Sequence, residues 1–558
     1  MKKHSKPFAL LLCAALTLPP ALAMTGCGTR SNSDTKGLAI DGTDFGITIE
    51  GTNVTEESVF TSNDIIYYAD MEAYESGNPY GEGEEQERHT AEEAAAHTVI
   101  NIVEPGTYTI SGAMEKGQIR VDLGEDTETN PEAVVTLVLD GLDMTCEVAP
   151  AILFLNTYEC DNGWTAETAQ SAVDTSAAGA NLVIADGSIN NINGGHVAKI
   201  FEDAEGEEKL WKQDGGIYSY MSMNVSGGQA GDGILNLKAD NEGLDTELHL
   251  TINGGIINIY SDNDGINTNE DGVSVTTING GDLHILAGLG TEGDGIDSNG
   301  WLVINGGTVI ASANPAADAG LDSDMGSYVN GGTVVAMGST MDWAESESEQ
   351  VTMNLQFAEY QEFGDVIQVR SSDDDVPVFG FDPDADEVLS KYPRNYQGLI
   401  LSSPEFAQDE TYHVYMGSSQ QSFTGTDVMM GPGGFGGGMG GFGGDHGPFD
   451  ENGELPEGFE PGNLPEDFDP SQMPQDGQRP QGPEGFEPGE MPEGFEPGKL
   501  PEGMTPPDGQ RPEKPEGMEP PEGMERPEAG SIMEIGEAKT DFYMQDRVNA
   551  FSGVHDAE

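Results

Sequence analysis

The sequence predicts an all-β chain whose central part is a parallel β-helix, a solenoid of stacked coils. Three observations carry this. Short runs that alternate apolar and polar residues extend from Thr98 to about Phe423, broken by Gly and Pro. A Gly-Gly turn recurs inside them at a nearly constant interval, as a stacked repeat requires. No helical periodicity interrupts the pattern.

Taken in order, residues 1–26 read as a targeting segment. Lys2, Lys3 and Lys6 precede an apolar run from Phe8 to Leu18, too short to span a bilayer. Met24-Thr25-Gly26-Cys27 then forms a lipobox, which makes Cys27 the expected lipidation site and puts the mature chain on the outer face of a membrane, as on a Gram-positive surface. A plain secretory signal cleaved near Ala23 is the alternative. Loss of three lysines takes the net charge from −78 to −81. A field of that sign repels nucleic acid and anionic lipid, so contact with a membrane is expected through the anchor only, and cations become the leading small partners.

Residues 27–97 are polar and acidic, with Glu84-Glu85 and Glu92-Glu93, and read as a tether. Residues 98–428 hold the repeat. Its strands begin with Val99-Ile100-Asn101-Ile102-Val103 and Thr107-Tyr108-Thr109-Ile110. Cys146 and Cys160 are expected to form a disulfide, which an oxidising exterior permits and which would contribute about 3 kcal/mol. The turns stand at Ser226-Gly227-Gly228, Asn253-Gly254-Gly255, Asn279-Gly280-Gly281, Asn305-Gly306-Gly307 and Asn330-Gly331-Gly332, at intervals of 27, 26, 26 and 25 residues. The second and fourth residues after the last four turns are Ile257 and Ile259, Leu283 and Ile285, Val309 and Ala311, Val334 and Ala336; these should face inward. Ile252, Ile278, Ile304 and Val329, just before the turns, form a second inward ladder. Residues 429–531 are Gly-rich and then a degenerate Pro-Glu-Gly-Phe-Glu-Pro-Gly repeat at Pro456, Pro483 and Pro492, expected to be a disordered insertion. Residues 532–558 regain apolar character at Ile532, Ile535, Phe542, Tyr543, Val548, Phe551 and Val554 and are expected to dock on the β-helix.

A second motif follows the strands: Glu242-Gly243-Leu244-Asp245, Asp264-Gly265-Ile266-Asn267, Asp294-Gly295-Ile296-Asp297 and Ala319-Gly320-Leu321-Asp322. Alignment on the glycine gives three acidic columns. The first holds Asp240, Asp262 and Glu292, the second Glu242, Asp264 and Asp294, and the third Asp245, Asp297 and Asp322, with Asn267 in the third as well. Residues one coil apart lie about 4.8 Å from each other. Neighbouring unit charges at that distance cost roughly 3 kcal/mol per pair at an effective dielectric of 20. Asp-Gly is also an ordinary turn, and turn chemistry explains one such pair but not three registered columns. Calcium, which prefers hard oxygen ligands, is the expected cofactor, with Asp318 and Asp324 as further candidates.

These motifs, with "EPGTYTISG" from Glu104 and "VTLVLDGLDMTC" from Val135, resemble the clostridial secreted carbohydrate-binding lipoproteins. That resemblance implies a right-handed, polysaccharide-lyase-like parallel β-helix that bears calcium and binds cellulose or acidic glycans without catalysis. By position it implies that the acidic residues of the aligned motifs are the ion ligands, and Asn267 and Ala319 depart from the pattern.

No catalytic residue is assigned. A lyase needs a base, commonly Lys or Arg, yet Lys238 is the only Lys or Arg between Asp214 and Met341. A β-helical hydrolase needs only carboxylates and stays open, as does a structural spacer or adhesin. Tyr260 and Trp301 are the candidate sugar platforms, and His249 and His284 are expected at the surface. A monomer that binds polysaccharide at the cell surface is the expectation.

Overall fold

The computed structural model describes residues 36–40, 46–51, 54–68, 87–160, 163, 165–201, 209–339, 342–426 and 538–557. The described residues belong to one compact unit, Met1–Gly441 with Ile535–Glu558. The signal segment with Cys27, and all of the 429–531 insertion, lie outside the described residues.

Among the described residues the chain is all-β, with only short helices such as Ala91–Ala95. Three ladders of parallel strands make its body, and the chain visits them in turn. One runs through Ile189–Gly194, Ile234–Ala239, Ile256–Ser261, Asp282–Leu286, Thr308–Ser312 and Thr333–Gly338. A second runs through Ala180–Ile184, Met223–Gly227, Leu250–Ile252, Val275–Ile278, Trp301–Ile304 and Gly326–Val329. A third runs from Thr98–Ile102 through Gly117–Asp122, Ile152–Asn156 and Gly215–Ser219 to Glu242–Thr246 and Ile266–Thr268, with one further bridge to Ile296.

The registers match the alternation read in the sequence. Ile257, Leu283, Val309 and Val334 stack in one column, Ile259, Ile285, Ala311 and Ala336 in another, and Ile252, Ile278, Ile304 and Val329 in a third. All twelve are buried in one continuous core. Each large member contributes roughly 1.5–3 kcal/mol by leaving water.

Parallel stacking stops at Gly338, well short of residue 428. Thr333–Gly338 pairs antiparallel with Tyr396–Ser402, which pairs antiparallel with Thr352–Gln361. The last strand, Val548–Asp556, lies parallel to Thr352–Gln361, and Phe542–Tyr543 pairs with Thr411–Met416. A second core forms here, in which Phe423, Phe542 and Phe551 meet with centroids 4.7 to 4.9 Å apart. Side chains alternate identically in parallel and antiparallel strands, so the change of architecture left no mark in the pattern.

The stretch read as a tether also joins the body. Ile47–Gly51 pairs antiparallel with Gly106–Met114, and Val59–Ser62 with Thr98–Ile102. Ile47, Ile49 and Val59 enter the core, small apolar islands in an otherwise acidic sequence. The expected Cys146–Cys160 bridge is not formed. Cys146 ends Val135–Cys146 as a free thiol in the core, pushed up to about 12 by burial, whereas Cys160 lies partly exposed beyond the next strand.

A carboxylate strip as candidate metal centre

The acidic motif is built around a glycine because the coils meet there backbone to backbone. A β-carbon on Gly243 would collide with the carbonyl oxygen of Gly265, one on Gly265 with that of Gly295, and one on Gly295 with that of Gly320. The same approach allows Gly243, Gly265 and Gly295 to donate to the carbonyls of Asp264, Asp294 and Ala319 at 2.9, 3.0 and 3.0 Å. Glu242, Asp264 and Asp294 are thereby superposed. Asp245 stands over Asn267, and Asp297 and Asp322 donate from their backbone to Ile266 and Ile296, both at 2.8 Å, which superposes the other column.

The remaining column breaks. Asp240 and Asp262 are neighbours and both exposed, but Gly290 occupies the position over Asp262, donating to its carbonyl at 2.8 Å. Glu292 is thrown outward, where its charge acts on Asp318. Gly243, Gly265, Gly295 and Gly320 are spaced by 22, 30 and 25 residues, so the longer coil loops out at Leu289–Gly293 and alignment on the glycine misplaces Glu292. Asp240 is also engaged elsewhere, accepting from His196 at 2.9 Å.

The result is a strip of carboxylates with cationic side chains at its edges: His196 beside Asp240 and Asp214, Lys238 beside Asp262 and Arg394 beside Asp318. At one end, oxygens of Asp214, Glu242 and Asp245 lie within 4.8 Å of one another. In the middle, burial and then the facing carboxylates hold Asp264 and Asp294 well above the usual carboxylate range. At the other end burial, followed by Asp322 and Asp324, pushes Asp297 up to about 8. Burial and Asp322 do the same to Asp342, to about 8, and Asp324 rises to about 6. Asp342 and Asp322 share a side-chain hydrogen bond, which two carboxyl groups make only when one of them is protonated.

Such a donor set fits a divalent ion. It offers several hard oxygens at close range, and the buried side-chain oxygen of Asn267, beside Asp245, has no hydrogen-bond partner. Sequence reasoning missed Asp214 and Asp342. The first precedes the recognisable motif by a coil, and the second follows the last Asn-Gly-Gly turn, where spacing offers no frame. It also missed Arg394, which comes from the antiparallel region to donate to the carbonyls of Gly288 and Ser312 at 2.9 and 2.8 Å.

The expected sugar platforms are covered. Trp301 is 9% exposed and packs with Val275 and Val303 beneath Ala169 and Val173. Tyr260 is half-buried against the second core. His249 is likewise interior, 1% exposed and lowered to about 4 by burial, with Nδ1 accepting from the Val275 backbone. His284 sits between Asp282 and Asp386, 3.4 and 2.6 Å away, and ties the first parallel ladder to the antiparallel region.

The described residues thus form a mostly parallel all-β body that carries a row of carboxylates from one coil to the next. The chain belongs to the carbohydrate-binding domain-containing protein family, whose model matches residues 96–376. That span covers all three parallel ladders and the whole strip. Among solved structures, the chain is similar to the polysaccharide lyase-like protein from C. thermocellum, in a gadolinium derivative, with 24% identity, 42% of this chain and 83% of that chain covered, and a TM-score of 0.28. No curated protein matches it.

Proposed function

We propose that this protein is a right-handed parallel β-helix that binds polysaccharide, cellulose or acidic plant-type glycans, with the help of calcium and without catalysis. The single observation behind the calcium is the strip from Asp214 to Asp342, in which buried and half-buried carboxylates face one another. Family membership supports carbohydrate as the partner. Asp214, Glu242 and Asp245, with the Asn267 oxygen, would hold one ion, and Asp297, Asp322 and Asp342 would hold another. Calcium there would supply positive charge toward which a uronate carboxylate or sugar hydroxyls can turn. Asp264 and Asp294 accept backbone N–H groups of Asp294 and Ala319, at 2.6 and 2.5 Å, and thereby orient the motif. Arg394 would add a fixed cation at the edge of the same surface.

Lys238 is exposed beside Asp262, and the Arg394 guanidinium is committed to the Gly288 and Ser312 carbonyls, which supports a binder over a lyase. Anchoring through Cys27, an extracytoplasmic surface location and a monomeric state belong to the same proposal. The test is binding of soluble polygalacturonate in calcium and in chelator. Retention in calcium and release in chelator are expected, with no unsaturated or reducing ends formed. Binding that ignores chelator, or steady product formation, would overturn the reading.

A further inference from the structure

The edge of the coils that carries the Asn-Gly-Gly turns is separate from the carboxylate strip and holds a cleft of about 770 Å³. Its floor is the outward face of the second ladder, where Asn224, Thr251, Thr277 and Val303 stand in register. One wall is the segment 171–176, and the opposite wall is the line of turn asparagines. The 171–176 wall is fixed in place. Thr175, 4% exposed, donates to Asn224 and also bonds Thr251 at 2.8 and 2.7 Å, and Asn224 donates back to the Thr175 carbonyl at 2.8 Å.

The asparagine wall is a continuous chain of side-chain amides. Asn279 donates to Asn253 at 3.0 Å, Asn305 to Asn279 at 3.0 Å and Asn330 to Asn305 at 3.1 Å. Each amide has two N–H donors and an oxygen with two lone pairs. The ladder uses one of each on Asn279 and Asn305, so each of these two keeps a spare donor and a spare acceptor in the lining of the cleft. These pairs repeat every coil, about 4.8 Å apart. A sugar hydroxyl is itself both donor and acceptor, and a polysaccharide presents hydroxyls at a regular rise, so the match is with an extended chain lying along the coils. Asp174 is the single charged residue of the lining, and no cation is present to receive a uronate.

We propose that this cleft binds an uncharged polysaccharide chain through the asparagine ladder, independently of any metal. It is a second glycan site beside the strip, and it stands whether or not the strip takes calcium. The test uses the full chain and calorimetry against soluble glucan, xylan and mannan fragments, in calcium and in chelator. At least one of the three binds equally in both media. Replacing exposed Ala172, in the wall, by Arg weakens that binding roughly tenfold or more, as does the pair Asn279→Ala and Asn305→Ala. Asp297→Asn leaves it unchanged, and Ala172→Arg leaves calcium-dependent binding to polygalacturonate unchanged. The inference is overturned when none of the three glycans binds in chelator, or when Ala172→Arg binds as the parent does. Should the double asparagine variant fail to fold, Ala172→Arg decides.

Discussion

Asp297→Asn gives the strip a test whose size depends on the metal. In the metal-free fold this carboxyl is raised from 3.8 to about 8. For an acid raised on folding, stability is complete below the unfolded value and is lost as pH rises toward the folded one. At 1.36 kcal/mol per pH unit, holding Asp297 protonated from pH 3.8 to pH 7 sets an upper limit of about 4 kcal/mol on what it costs the metal-free protein at neutral pH. Asp297 keeps some contact with water, so an amide there should stabilise the metal-free protein by on the order of 1–4 kcal/mol at pH 7. Saturating calcium works against that lead. The parent gains about 2.7 kcal/mol at a hundredfold excess over its dissociation constant, and the variant, short of one ligand, gains less. Urea denaturation of both proteins, in chelator and in calcium, reads all four stabilities. A variant less stable than the parent in chelator would refute the reasoning, as would a parent indifferent to calcium.

Gly295→Ala should destabilise the protein by roughly 1–3 kcal/mol and weaken calcium binding as well, because its new methyl meets the Gly320 carbonyl and pushes two coils apart. Melting curves and calcium titration check the two effects, and a variant with the parent's values would show that the coils have room. His284, raised to about 9 between Asp282 and Asp386, should hold the antiparallel region most firmly below pH 6.5 and lose that contribution as pH rises through 9. His284→Gln should flatten that part of the stability profile, and an unchanged slope between pH 6.5 and 9 would remove His284 as its cause.

Sequence periodicity found the body because a two-residue alternation and a coil of constant length each leave a direct trace. Ile257, Ile259, Ile252 and their stacked partners needed no other information. What depends on coil length was lost where length varies: the loop at Leu289–Gly293 moved Glu292 off its column. Residues brought in from outside the repeat, Asp214, Asp342 and Arg394, had no frame in which to be aligned. Exposure was the weakest inference. Trp301 sits on an outward strand face, and the packing of residues 165–176 over it is a tertiary event that local sequence does not encode.

Calcium binding to the dialysed full chain, measured by calorimetry at pH 7 together with elemental analysis, goes to the centre of the account. At least one ion per chain should bind, with weaker binding at pH 5, where protons compete for Asp297, Asp324 and Asp342. Absence of both heat and bound metal, with a melting curve unmoved by chelator, would contradict it.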